Sequence, residues 1–324
     1  MTVRDRNASA LTCAEALAEE PPAGPVLIAG EAEPVAAELA DLGLAFEAWE
    51  RFAYEGRPAT PWPAEGPFAT AVLRLPKGKD ALRLWVHELV RRLTPGGVLL
   101  VHGANDEGIK SAGKVLQDAF TEVTSVKSKR HSRVWRATGV REVPPKAEPT
   151  RVTATVAGVD LDWLSWPGLF AHGRLDPATQ ALLEHLPTLE GRVLDFACGA
   201  GVIAQFVQRR DGVVPEMSDV DALALQTAQI NVPGAVAHLA DGLPADTGRY
   251  RFILSNPPLH RGKDSTPGPM RRLIEAAPRR LGRSGELWIT TQGAMALGAP
   301  LREKFRTVDR VWSDRRFAVW RATR

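Results

Sequence analysis

The sequence predicts an α/β protein made of two tandem, doubly wound domains related by an internal duplication. Three observations lead there. Short apolar runs alternate with stretches of helical spacing along the whole chain. The pentapeptide Val-Trp-Arg-Ala-Thr occurs twice, at 134–138 and again at 319–323. Between the copies, residues 141–150 carry three prolines and almost no periodic apolar signal, which reads as a linker. The expected boundaries are therefore a domain over 1–140, the linker 141–150 and a second domain over 151–324.

Taken in order, Val26-Leu27-Ile28-Ala29 reads as a strand before a helix around 33–42, and Ala69-Thr70-Ala71-Val72-Leu73 as a strand before a helix around 80–92. In the second half Val193-Leu194 precedes a helix around 201–209. Asp221 to Asn231 has helical spacing, Val236 to Ala240 fits a third strand, and Phe252-Ile253-Leu254 reads as another. Leu93 to Val101 and Leu281 to Ile289 each read as a helix end, a glycine turn and a buried strand. The repeat register nearly holds: Val134 to Val319 spans 185 positions and Gly97 to Gly285 spans 188. A period that long implies two copies of one domain, not a solenoid.

Composition narrows the function classes. Hydrophobic residues make up 44% of the chain and charged residues 24%, ordinary values for a globular protein. A formal charge of +3 makes it mildly basic, which alone says little about nucleic acid. Cys13 and Cys198 can form neither a disulfide framework nor a metal-ligand spacing, so no metal is expected. No apolar leader and no run of membrane-span length is present, so a cytoplasmic protein without membrane contact is the expectation. The 25 prolines and 28 glycines are spread through the chain and mark turns.

The most informative stretch is Ser255-Asn256-Pro257-Pro258-Leu259-His260, directly after the apolar run 252–254. Two adjacent prolines remove two donors and fix two φ angles, so the strand ends there and leaves Asn256 at its tip. The Asn256 side-chain oxygen and the Pro257 carbonyl can accept two N–H bonds from a planar amine. The lone pair of such an amine is conjugated and weakly nucleophilic. Charge developing on its nitrogen would be stabilised where it forms, and much of the acceleration would come from in-line positioning. A plain proline-terminated strand does not account for the Asn at its tip.

Upstream, Asp195-Phe196-Ala197-Cys198-Gly199-Ala200-Gly201 runs from a strand end into a glycine-rich turn, where backbone amides come close to a ligand. A tight strand-to-helix turn would look the same in isolation. One strand–helix–strand unit later, Asp219, followed by Val220, can bind both ribose hydroxyls of an adenosine. Asp221 is better placed as a helix cap. Asp241, before Gly242, fits a third strand end facing an adenine amino group, and equally a turn aspartate. Together these segments suggest a methyl donor and a planar, nitrogen-bearing acceptor.

In this order the three elements resemble the class I S-adenosylmethionine-dependent methyltransferases, whose domains are Rossmann-like. More finely, the chain resembles the ribosomal RNA guanine-N2 methyltransferases, above all the small-subunit (16S) methyltransferase C family, with the large-subunit enzymes close behind. Trp166-Pro167-Gly168-Leu169-Phe170 and Gly173-Arg174-Leu175-Asp176 look like the family's Pro-Gly-aromatic and Leu-Asp segments. Asn256 to Gly262 looks like its Asn-Pro-Pro-Phe-His-x-Gly. The resemblance covers about residues 160–323. It implies S-adenosylmethionine as cofactor, held by Asp195, Ala197, Cys198, Gly199, Gly201, Asp219, Val220, Asp241 and Asn256. It implies ribosomal RNA or the small subunit as partner, with Asn256, Pro257, Pro258, Leu259 and His260 at the acceptor. His260 would shape the pocket or help remove the lost proton.

Two positions depart from the family pattern. Ala197 stands where the family has Gly, and Leu259 where it has an aromatic that could stack on the base. The acceptor thus stays open between guanine N2 of either subunit's RNA, adenine N6 and a glutamine amide. A non-catalytic RNA-binding relative is the other reading. In the first half, Val26-Leu27-Ile28-Ala29-Gly30 lacks the acid and the paired glycines, and Leu73-Arg74-Leu75-Pro76-Lys77 replaces Asn-Pro-Pro. That half is expected to be degenerate, silent in catalysis and supportive of the other, with RNA binding through Lys127, Lys129, Arg130, His131, Arg133 and Arg136. Arg271, Arg272, Arg279, Arg280, Arg283, Arg315 and Arg316 are the second half's candidate phosphate contacts. Trp163 and Trp166 are expected in the core.

Overall fold

A computed structural model describes residues 3–30, 33–245, 248–257, 268–292 and 297–324. The chain divides into two compact units: residues 1–51 with 62–148, and residues 52–61 with 149–324. The excursion of 52–61 into the second unit has no announcement in the sequence.

The first unit contains α1 (Val3–Glu19), β1 (Val26–Ala29), α2 (Glu33–Asp41), β2 (Phe46–Trp49), β3 (Phe68–Arg74), α3 (Lys79–Val90), β4 (Leu93–Ala104), α4 (Ile109–Ala119), β5 (Phe120–Lys129) and β6 (Ser132–Val140). Its six strands lie in the order β2-β1-β3-β4-β6-β5. The β2, β1, β3 and β4 neighbours pair in parallel, and β6 and β5 close the sheet antiparallel. All four residues of β1 are buried, as a strand covered on both faces requires. Val26, Ile28, Val72, Leu100 and Val134 from the sheet pack with Val35 and Leu39 of α2 and Leu17 of α1.

The second unit opens with a hairpin, β7 (Thr150–Val156) and β8 (Val159–Ser165). There follow α5 (Pro177–His185), β9 (Val193–Phe196), α6 (Val202–Asp211), β10 (Glu216–Asp219), α7 (Ala222–Asn231), β11 (Ala237–Leu239), β12 (Tyr250–Ser255), α8 (Pro269–Arg280), β13 (Leu281–Gln292), α9 (Gly298–Arg302), β14 (Thr307–Ser313) and β15 (Phe317–Thr323). The sheet order is β11-β10-β9-β12-β13-β15-β14, parallel except for β15 and β14. Strand order reverses at β9, which lies between β10 and β12. The crevice beyond its carboxyl end is the place where doubly wound sheets take ligands.

Local chemistry explains the helix starts. Asp176 caps α5: its Oδ2 accepts from Ala178 N at 2.9 Å and Thr179 N at 3.0 Å, with Pro177 at the first helical position. Asp221 caps α7 through Leu223 N at 3.0 Å and Ala224 N at 3.3 Å, the cap role its position suggests. Trp163 and Trp166 are buried, as expected.

The strand registers make the duplication concrete. Ala29 pairs with Leu73, Leu73 with Val101 and Val101 with Trp135 in the first unit. Phe196 pairs with Ser255, Ser255 with Ile289 and Ile289 with Trp320 in the second. The two tryptophans of the repeated pentapeptide thus occupy one position of one sheet. In both copies a single long strand, β4 or β13, begins before the glycine turn and resumes its ladder after a register shift. Among the described residues the first unit has no counterpart of α7 and β11. After β2 its chain departs as residues 52–61, the piece that belongs to the second unit.

Candidate active site

The site is built on the carboxyl rim of the second unit's sheet. At the tip of β9, Asp195 is fully buried. Its Oδ2 accepts from Ala204 N at 3.1 Å in the first turn of α6, and its Oδ1 is buried without a hydrogen-bond partner. Burial, opposed by that backbone bond and reinforced by nearby Asp219, pushes its carboxyl up to about 8. At neutral pH this carboxyl keeps its proton in the cofactor-free chain, and a ligand that brings a donor or a positive charge to the unpartnered oxygen would draw it into the ionised form.

The turn itself is left-handed at three positions: Ala197 (φ 56°), Gly199 (φ 55°) and Gly201 (φ 80°). Nothing lies within 4 Å of where a Cβ on Gly199 would sit, so the turn is open there. Gly201 is the reverse case, since a Cβ would stand 3.0 Å from Ala228 Cβ and 3.2 Å from its Cα. Glycine there lets α6 and α7 approach. Ala197 adopts the left-handed backbone that favours glycine, which gives the physical reason for Gly in the family pattern. The Cys198 thiol is buried and pushed well up by burial and by Asp219 and Asp195, so it is no nucleophile.

Asp219, at the tip of β10, links the turn to the next strand. Its Oδ2 accepts from Gly199 N at 2.8 Å and its Oδ1 from Asp221 N at 2.9 Å. Burial, with Asp221 beside it, raises its carboxyl to about 6. Residues 52–61 cross this edge of the site. Ala53 N donates to the Val220 carbonyl at 2.8 Å, Phe52 forms an antiparallel bridge with Asp221, and Glu55 N donates to Asp241 Oδ2 at 3.2 Å. The Phe52 and Tyr54 rings stack with centroids 5.4 Å apart. Asp241 Oδ1 also accepts from Arg272 at 2.8 Å. The Asp241 side chain therefore has protein partners on both oxygens and meets a ligand only through the lone pairs these leave.

Asn256 stands at the tip of β12, one strand from Asp195. Its amide is held on three sides: Nδ2 donates to Asp176 Oδ2 and Thr179 Oγ1, both at 2.9 Å, and Oδ1 accepts from Thr290 Oγ1 at 2.7 Å. A carboxylate only accepts, so Asp176 fixes which end of the amide is nitrogen. Both amide hydrogens are spent on protein. One lone pair of Oδ1 remains, and it is the acceptor that Asn256 offers a substrate. Pro257 is buried behind it. Pro258, Leu259 and His260, expected at the acceptor, lie outside the described residues.

A cavity joins the two halves of the site. Its walls include the turn 197–200, Asp176, Thr179 and Asn256, with Phe170 and Arg174 at its lip. Phe170 is 61% exposed, an unusual state for a large aromatic and suited to meeting a planar ring. Among the described residues no group of three or more His, Cys, Asp or Glu side chains could hold a metal ion, and no helix is long and apolar enough to cross a membrane.

The local sequence patterns single out Asp195, the turn and Asn256 and assign no role to Asp176, Thr179 or Thr290. Their signal is weak: Asp176 is visible as an acid before a Pro-led helix, and Thr290 as a polar residue inside a buried strand. The basic run of the first unit is engaged by α1. Lys127 pairs with Glu15 and Glu19, Lys129 with Glu15, Arg130 with Glu15 and Arg136 with Glu20. Three carboxylates face these four cations, so the run keeps a net positive charge, with each of the four cations already tied to a carboxylate.

Comparison with known proteins gives two family matches. The Methyltransferase small domain matches residues 160–321, and the Methyltransferase small domain N-terminal matches residues 42–150. A Ribosomal RNA small subunit methyltransferase C from Shewanella amazonensis is 32% identical over 268 residues, 80% of this chain and 78% of that protein. The protein of the same name from Stutzerimonas stutzeri is 33% identical over 275 residues, 81% of each chain. Among solved structures, the 16S rRNA N2 G1207 methyltransferase (RsmC) of T. thermophilus in complex with AdoMet and guanosine matches at TM-score 0.82 and 23% identity. The match covers 96% of this chain and 91% of that one. At that identity the likeness is one of fold, two Rossmann-like domains in tandem.

Proposed function

Because the chain belongs to the ribosomal RNA small subunit methyltransferase C family, we propose that its second unit transfers a methyl group from S-adenosylmethionine to the exocyclic N2 of a guanine in 16S ribosomal RNA. The cofactor, when bound, supplies an electrophilic methyl on a sulfonium. Asp219 accepts from its ribose, the 197–201 turn offers backbone amides, Asp195 brings the buried carboxylate, and Val220 and Asp241 flank its adenine.

The residues facing the acceptor do three things. Asn256 Oδ1 and the Pro257 carbonyl accept the two N2–H bonds and hold the amine in line with the methyl. Their dipoles stabilise the positive charge that grows on nitrogen during transfer. Asp176, Thr179 and Thr290 keep the amide from turning its N–H edge to the substrate. The observation that carries this reading is the orientation of the Asn256 amide: three fixed partners leave a single acceptor lone pair. A nitrogen carrying hydrogens is the complementary substrate atom.

The test is incubation of the full chain with methyl-labelled cofactor and, in separate arms, naked 16S RNA, assembled small subunits, large subunits and release factors. Label is expected in the 16S arms, as N2-methylguanosine after nuclease digestion. Label confined to protein, to large-subunit RNA or to N6-methyladenosine overturns the acceptor assignment. The two 16S arms decide whether the free RNA or the assembled subunit is the substrate.

A further inference from the structure

The turn between β14 and β15, residues 313–316, stands on the rim that carries Asn256. β13 runs parallel to β12, and Thr290 of β13 reaches Asn256. Two residues further along β13, Gln292 pairs with Phe317, the first residue of β15, and Ser313 pairs with Ala318. The turn is therefore at the carboxyl end of the strands, two strands over from the acceptor asparagine. Its backbone is fixed: Asp314 Oδ1 accepts from Arg316 N at 2.7 Å and Phe317 N at 2.6 Å, and Asp314 N donates to the Phe317 carbonyl at 2.9 Å. The Asp314 carboxylate is thus occupied by the turn's backbone. Arg315 and Arg316 are exposed. The Arg316 guanidinium lies 5.2 Å from the Phe317 ring, and among the described residues neither arginine forms an ion pair.

The duplicate turn shows that this arrangement is not required by the fold. In the first unit β5 and β6 are joined at the same place, by Arg130 and His131. There the exposed basic side chains are paired with α1, Glu15 binding both Lys129, at 3.1 Å, and Arg130. One copy of the hairpin ties its cations to acids of α1, and the other copy, beside the acceptor, leaves two exposed guanidinium groups without an ion pair among the described residues. Arg174, which lines the cavity, is also exposed. Arg279 and Arg280 differ: they end α8, which leads into the start of β13 on the far rim, where Leu281 pairs with Tyr250, and with Arg272 they line a separate cavity beside Asp241.

We propose that Arg315 and Arg316 hold phosphates of the RNA strand that flanks the target guanine, so that the β14–β15 turn is the backbone clamp of the acceptor site. This rests on ribosomal RNA being the substrate. Guanidinium groups suit the role because they bind phosphate in bidentate fashion while one of them stays stacked on an aromatic face. Phosphate contacts fix the strand's register and leave recognition of the base to the pocket.

The experiment measures binding of a fluorescently labelled 16S RNA fragment to the full chain across a salt titration. The variants are the Arg315→Gln/Arg316→Gln pair, Arg315→Gln alone, and two controls, Lys129→Gln/Arg130→Gln and Arg279→Gln/Arg280→Gln. The turn pair is expected to weaken binding about 5- to 30-fold near 0.1 M salt and to lower the salt slope by about 1 to 2. The single variant should show roughly half that slope change, and both controls should stay within about twofold. Calorimetry with S-adenosylmethionine confirms that each variant is folded and binds cofactor. Undiminished affinity and slope in the turn pair, or a larger loss in either control, overturns the proposal. A wild-type chain that binds cofactor but neither binds nor methylates ribosomal RNA overturns the substrate reading itself, and the clamp with it.

Discussion

The two units carry sheets of one plan and rims of different chemistry. Matching strand registers put Ile28 where the second unit has Asp195, Gly30 where it has Ala197, Arg74 where it has Asn256 and His102 where it has Thr290. In the second unit this row is polar and incompletely satisfied: a buried carboxylate oxygen without a partner and an amide with one lone pair to spare. In the first, Ile28 is wholly buried and apolar, and Arg74 is tied to Glu107 at 2.6 Å. His102, buried and pushed down to about 3 by burial and by Arg74, is neutral; its Nδ1 meets Ser9 Oγ at 3.2 Å, while its Nε2 is buried without a partner. A sheet of this kind does not need a site. An unpartnered polar group is not enough, as His102 shows; the rim becomes a site where such groups stand beside an open glycine turn and a cavity, as Asn256 and the 197–200 turn do.

The largest expected effect comes from erasing the difference at the strand tip. Asn256→Ala is expected to lower kcat by about 10² to 10³-fold, the usual effect of removing one dipole aimed at developing charge, with cofactor affinity nearly unchanged. The reciprocal Arg74→Asn should create no activity, because Ile28 and Glu107 remain. Single-turnover methyl transfer with calorimetry of the cofactor measures both, and an Asn256→Ala chain of undiminished turnover removes that residue from the chemistry.

A smaller effect isolates the clamp from the residue it holds. Thr290→Val deletes only the hydroxyl that bonds Asn256 Oδ1. About tenfold in kcat is expected, equivalent to about 1.4 kcal/mol of lost orientation, with the Michaelis constants of cofactor and RNA steady. Thr290→Ser should restore the rate. A purely structural role for Thr290 would instead lower thermal stability and leave kcat in place.

This clamp also marks how far the sequence could be read. The glycine turn, the acid of the second strand and the Asn at the strand tip were legible because each is a local pattern of a few residues. The duplication was legible because a pentapeptide survives in both copies. Asp176, Thr179 and Thr290 were not, because their contacts to Asn256 span 80, 77 and 34 positions and exist only once strand register is set. The same holds for the basic run, read as a phosphate surface. Its partners on α1 lie more than a hundred residues earlier, 108 positions for Lys127–Glu19 and 115 for Arg130–Glu15. The segment 52–61 was invisible for a related reason, since prolines and a short aromatic run describe a loop but not which unit it joins.

Asp195 tests whether the site costs stability. Its folded carboxyl is raised to about 8, while an unfolded Asp titrates near 3.8. Between those values the unfolded chain has lost a proton that the folded chain keeps, so stability of the cofactor-free chain falls as pH rises from about 4 to about 8. Asp195→Val, which moves the position toward Ile28, should flatten that profile. It should also raise cofactor-free stability by about 1–2 kcal/mol, the cost of a buried unsatisfied group, while weakening S-adenosylmethionine by about tenfold or more. Thermal denaturation across pH with and without cofactor measures all three. Asp219, raised to about 6, adds an opposite trend in binding: its ionised form accepts the ribose hydroxyls, so cofactor affinity should fall as pH drops through about 6.

The smallest effect concerns the first residue after the strand, where the two units have exchanged what the backbone prefers. Ala197 holds φ at 56°, and Gly30 holds φ at 82° in the corresponding place. A left-handed alanine costs about 1–2 kcal/mol relative to its ordinary conformations, and glycine's extra freedom in the unfolded chain offsets about 0.4–1 kcal/mol of that. Ala197→Gly should therefore stabilise the second unit by up to about 1 kcal/mol. Gly30→Ala should destabilise the first by a similar amount, since its new Cβ would also stand 3.4 Å from Arg74 Cβ. If the methyl at 197 also crowds the cofactor turn, the glycine variant will bind S-adenosylmethionine more tightly as well as melt higher. A gain in melting temperature with unchanged affinity would assign the whole effect to the backbone.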